Sequence, residues 1–210
     1  MSGDLVGGRF PLTYPFSKAV ALASNNAQGN VSVRSNLEYL GLAGLSDIAA
    51  SVWGATTGGK ATLVPVPVEN GDLIQYVDVL VGATAAGTPT HSWAALYNSA
   101  GTLVGTQSTD GGTAAIAASG RFTFTLGAKY IVNPTDSPNG ILYAAISETA
   151  TTCSSLIGAT SAAAAQYAWY TGMPVFLGGT SGSALGATAP TSITLSGVTA
   201  VAAQPAVFLR

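Results

Sequence analysis

The sequence predicts a mainly β protein: a two-sheet β-sandwich over residues 59–210, preceded by an extended N-terminal arm, residues 1–58, that carries a short broken helix. Three observations predict it. From Ala61 onward, apolar residues alternate or run in short blocks between Gly-, Asn- and Asp-rich turns, the pattern of strands rather than helices. Pro65 and Pro67 in "ATLVPVPV" remove two amides and disfavour helical backbone before each, so no helix forms there. Residues 1–33 combine Pro11, Pro15 and "ASNNAQGN" with aromatics that follow no period.

Each element follows in order. The arm cannot bury its own Phe10, Tyr14 and Phe16, and leaving such side chains in water forfeits about 1.5–3 kcal/mol apiece. These three are candidate contacts with another subunit. "SNLE" then offers a capping box, Ser35 to Glu38, followed by Leu37, Leu40, Leu45, Ile48 and Val52 at helical spacing, broken by Gly41 and Gly44. Beyond the arm, "ATLVPVPV" is expected as an edge strand because proline is tolerated there. "ENGD" turns the chain into "LIQYVDVLVGA", and "THSWAALY", "NSAG" and "TLVGTQ" form a hairpin. "GRFTFTLGA" alternates Phe122, Phe124 and Leu126 against Arg121, Thr123 and Thr125, a half-buried strand. "KYIV", "ILYAAISET", "MPVFL", "TSITLSGV" and "PAVFLR" complete nine or ten strands, enough for two packed sheets.

Charge and composition exclude several functions. Only 8% of residues are charged and 48% are hydrophobic, against about 25% charged in an ordinary soluble domain. Such a chain has little charge with which to keep a free surface soluble, and charge depletion marks the cores of interfaces. A surface largely covered by copies of itself or by partners is therefore expected. Net charge is −2 with no basic run, which argues against nucleic acid as a partner. No basic segment followed by an apolar stretch opens the chain, and no apolar run approaches the roughly 20 residues that span a bilayer. Assembly in the cytoplasm, without a membrane partner, is the expectation. Cys153 is the single cysteine, so an internal disulfide is excluded.

No residue pattern points to catalysis. "GATTGGKA", Gly54–Ala61, comes within one residue of a phosphate-binding loop. That loop needs a strand before it, a helix after it and a hydroxyl after the lysine. Ala61 replaces the hydroxyl and a proline-containing strand replaces the helix, so the stretch reads as a joint with Lys60 in solvent. His91 is the only histidine, and Ser92 beside it on a strand points to the opposite face. Asp72, Asp78, Asp110, Asp136 and Glu148 are scattered, with no calcium-loop spacing; Asp136 in "NPTDSPNG" reads as an Asx-type turn. No enzyme, cofactor or metal site is expected. Aromatics that stack on sugars are the remaining candidates: Trp93 with Tyr97 on one strand face, and Trp169 with Tyr167 and Tyr170 in "YAWY". Trp169 and Tyr170 are the candidate glycan contacts.

The run "VPVPVENGDLIQYVDVLVGATAAGTPTHSWAALYNSAGTLVGTQSTD" resembles the small jelly-roll-like β domains of structural proteins in tailed bacteriophages, especially those of actinobacterial hosts. The resembling parts are Pro65–Val68, Gly82–Thr84, Pro89–Tyr97 and Ser99–Leu103. The resemblance implies a jelly-roll-like sandwich and a non-enzymatic virion component, a minor tail or head-decoration protein that forms homo-oligomers or joins other virion proteins. The competing expectation is a phage adhesin module that binds a host receptor or surface glycan.

Overall fold

The computed structural model of the protein describes residues 33–36, 45–160, 178–201 and 203–210. Among them the strands are β1 (Arg34–Ser35), β2 (Ser46–Ile48), β3 (Gly58–Pro67), β4 (Leu73–Val81), β5 (Gly87–Tyr97), β6 (Leu103–Val104) and β7 (Gly120–Ile131). They continue with β8 (Ile141–Thr152), β9 (Leu156–Thr160), β10 (Gly179–Ser181), β11 (Thr199–Ala200), β12 (Ala203–Pro205) and β13 (Val207–Leu209). Short 3-10 turns lie at Ala50–Trp53 and Leu195–Gly197.

Two antiparallel sheets result. One runs β11-β10-β3-β8-β5-β6; the other runs β1-β13-β4-β9-β12, with β7 on the far edge of β4 and β2 on β9. The expected β-sandwich is present. Between the sheets lies a core of Val64, Val66, Ile74, Val77, Val79, Phe124, Leu126, Ile146, Leu156 and Leu209. The alternation in "GRFTFTLGA" is realised: Val79 opposes Phe122 and Val77 opposes Phe124 on the inner face, while Asp78 opposes Thr123 outside.

A second core covers the outer face of the six-stranded sheet. Trp93, Ala95, Tyr97, Leu63, Tyr143 and Ala145 are packed under Leu185, Ala189, Ile193 and Leu195. Trp93 Nε1 donates to the Gly186 carbonyl at 2.9 Å, and the Tyr97 hydroxyl donates to Pro190 O at 2.7 Å. Trp93 therefore packs outside the sandwich interior. Both indole and phenol are sealed under the 185–195 segment and present no face to a sugar.

The proline-bearing strand is interior along part of its length and an edge along the rest. β10 covers β3 only at Ala61–Leu63, whereas β8 pairs it on to Pro65 and Pro67. Both prolines lie past β10, where the missing N–H leaves no ladder bond unmade.

The helix expected from the capping box is replaced, within the described residues, by strands. Ser35 lies in β1, paired with Phe208, and Ile48 lies in β2, paired with Leu156. Val52 and Trp53 belong to the 3-10 turn, and Ile48, Val52 and Trp53 all enter the inter-sheet core. Ile48 and Val52 thus record burial of two consecutive short elements, while Leu45 is exposed, so the spacing 45, 48, 52 is not one helical face. Glu38 and Leu40 lie outside the described residues, as do Phe10, Tyr14 and Phe16. The described parts of segment 1–58 also carry polar anchors into the sandwich. Arg34 forks onto Asp72 at 2.6 and 2.8 Å, and Asn36 exchanges hydrogen bonds with the backbone of Pro205 and Val207.

Candidate functional site

One end of the sandwich gathers most of the chemistry-bearing side chains. Here the start of β5, the loop before Gly112, the end of β8 and the glycine-rich joint meet. His91 Nδ1 lies 2.9 Å from Asp110 Oδ2, and Asp110 Oδ1 accepts the Ser92 amide at 2.9 Å. Partial burial works against the Asp110 charge, but hydrogen bonds from His91, Ser92 N–H and Gly112 N–H outweigh it and hold the carboxyl below its ordinary range. Asp110 thus fixes the imidazole, as the orienting acid of a catalytic triad would. The third member is not supplied by the neighbouring serine. Ser92 pairs with Glu148 across β5–β8, on the face opposite the His91 side chain. Its hydroxyl is buried and has no hydrogen-bond partner. Among the described residues the imidazole's one hydrogen-bond partner is Asp110.

Glu148 lies at the same end, wholly buried. Its Oε2 accepts from Ser154 N at 2.6 Å and Ser154 Oγ at 3.0 Å, while Oε1 has no partner. Burial pushes its pKa up, against the two Ser154 hydrogen bonds that favour the anion. Cys153, also fully buried, contacts the Glu148 carbonyl through Sγ at 3.7 Å. Burial first, and the adjacent Glu148 charge second, raise this thiol to about 12, so it is no ready nucleophile.

The glycine-rich joint serves this end of the fold structurally. Gly58 has φ +72°, and a Cβ there would collide with the Glu148 carbonyl and Cys153 Sγ. Thr56 and Thr57 carbonyls accept from Cys153 and Ala150 amides. Strand β3 begins at Gly58 itself, so no helix N-terminus faces the loop. Lys60 lies along Gly54. A tight packing requirement explains the near-motif.

Elsewhere, Asp136 accepts from the Tyr130 hydroxyl at 2.7 Å and from Asn133 Nδ2, and the Asx-type turn expected of Asp136 is made instead by Asn133, whose Oδ1 accepts the Asp136 amide. Asp78 is buried against Arg210, whose Nε lies 2.6 Å away, with Arg121 at 3.9 Å. Among the described residues, no three His, Cys, Asp or Glu side chains gather to hold a metal ion, and no helix is long and apolar enough to cross a membrane. Trp169 and Tyr170 lie outside the described residues. Asp110 as partner of His91, and Glu148 as a core residue, were missed by spacing alone. The signal for Glu148 was present: it continues the parity of Leu142, Ala144 and Ile146, all inward-facing. No protein family, curated protein or solved structure matches this chain.

Proposed function

We propose that the chain is a non-enzymatic structural component of a tailed-bacteriophage particle, a minor tail or head-decoration protein that assembles with copies of itself and other virion proteins. The observation that carries this reading is where the few charges go. Arg34, Glu69 and Asp72 join one ion-pair group, and Asp78, Arg121 and Arg210 another. Asp110 binds His91, Asp136 binds Tyr130, Asp47 accepts the Ala83 amide and Glu148 is buried. Among the described residues, Lys60 and Lys129 are the charged side chains left without such a partner. A surface with so few free charges suits burial against neutral partners better than free solution. The resembling residues add support by falling on consecutive elements, β3 to β6 with their connections.

Mass spectrometry of purified particles from the source virus tests the reading. The chain should be present in a fixed ratio to the major structural proteins, and particles that lack it overturn the proposal. Deleting residues 1–32, which carry Phe10, Tyr14 and Phe16 but spare the Arg34–Asp72 fork, should abolish incorporation. An adhesin role is the alternative; a Trp169→Ala or Tyr170→Ala variant that still incorporates but loses binding to host glycans would favour it.

A further inference from the structure

Among the described residues, Glu148 stands in the core without a counter-ion. Four described elements pack around it, and none brings a cation to the carboxyl. From β3, Lys60 runs along Gly54 and forms no ion pair with Glu148. From β5, Ser92 faces it across the strand pair and His91 points to the other face, held by Asp110. The 3-10 turn contributes Trp53, whose Nε1 donates to Ser154 O at 2.8 Å. The segment after β8 contributes Cys153 and Ser154. Oε1 and the Ser92 hydroxyl are both buried and unpartnered. An ionised carboxylate would place charge on an oxygen with nothing to solvate it, which is far costlier than an unpartnered neutral group.

We propose that Glu148 enters the fold as a neutral carboxylic acid, and that ionising it opens the Cys153–Ser155 turn, a latch released by rising pH at this end of the sandwich. The turn is the part able to yield. It lies between β8 and β9 rather than in a ladder, and is held by Cys153 N to Thr56 O, Ser155 N to Thr84 O, Gly82 N to Ser155 O, Thr84 N to Ser155 Oγ and the Trp53–Ser154 bond. Segments outside the ladders open at lower free energy than the strands they join. Opening carries the carboxylate to water and uncovers the Cys153 thiol. The upward push that burial exerts on Glu148 agrees in direction.

The sign follows from linkage. A carboxyl whose pKa is raised in the closed state contributes its full stabilisation below the ordinary glutamate value, about 4.3, and loses it as pH rises to the folded pKa. Across that window the open population grows about tenfold per pH unit.

Cys153 alkylation by iodoacetamide reads the latch, with each rate divided by that of the urea-unfolded chain at the same pH to remove thiolate formation. In the wild type, protection should fall about tenfold per unit from near pH 5, while the β circular-dichroism signal stays native. In Glu148→Gln, protection should not change with pH. Flat protection in the wild type, an unchanged slope in Glu148→Gln, or loss of β signal in step with labelling would each overturn the proposal. Should Glu148→Gln fail to fold, infrared spectra of the wild type decide. A protonated-carboxyl C=O band that persists above the ordinary glutamate range and vanishes as pH rises further is expected, and its absence overturns the proposal.

Discussion

Strands β7 and β8 have the same length, twelve residues each, yet they live in different surroundings. In β8, Ile141–Glu148 is buried without interruption. In β7, Phe124, Leu126 and Tyr130 are buried while Arg121, Thr125 and Lys129 face water. The difference belongs to their sheets. The six-stranded sheet is covered on one face by its partner sheet and on the other by the 185–195 segment. The seven-stranded sheet keeps its outer face polar, with Asp78 and Arg210 in place of a second apolar layer. A sheet covered twice admits near-continuous apolar strands; one covered once demands alternation. The comparison teaches that polar residues in β8 have no solvent face to occupy, which is how Ser147 and Glu148 come to be buried.

Four substitutions at three positions test that contrast by thermal or urea unfolding. Trp93→Ala removes the largest side chain of the second core and should cost about 3–5 kcal/mol. A loss under about 1 kcal/mol would mean that the 185–195 cover contributes little, and the two sheets would then be alike. Arg34→Ala removes the fork on buried Asp72, leaving it the Glu69 amide, and should cost about 3 kcal/mol, the loss expected when one partner of a buried pair is removed. If Arg34→Met proves as stable as the wild type while Arg34→Ala does not, the pair matters through packing of its stem. Thr125→Ala on the exposed face of β7 should stay within about 0.5 kcal/mol of the wild type. A larger loss would show that this face is covered too.

Much of the sandwich was legible because its signals are local. Period-two alternation in 120–131, the turns at "ENGD" and "NSAG", and the proline pair in β3 all act over a few residues. The short elements were not legible. β1 and β2, two and three residues long, exist only because β13 and β9 offer edges far along the chain. Within the described residues 45–52, helical spacing was a coincidence that local sequence had no means to expose. Likewise the cover over Trp93 depends on Gly186, 93 positions away. At the site, the opposite placement of Ser92 and His91 was readable from strand parity, whereas the Asp110 partnership required the loop that returns to β5.

The placement of β13 has a consequence in time. Asn36 and Val207 bond across 171 positions, and at about 5–20 residues per second a ribosome takes roughly 10–30 s to bridge that interval. β3, β5 and β8 are all made earlier, and these can pair while synthesis continues. β4 must meanwhile wait with its β13-side edge unpaired, a template for strands of neighbouring nascent chains. Where many copies are translated at once, the rate of elongation through residues 82–209 sets how long that edge stays open to the wrong partner.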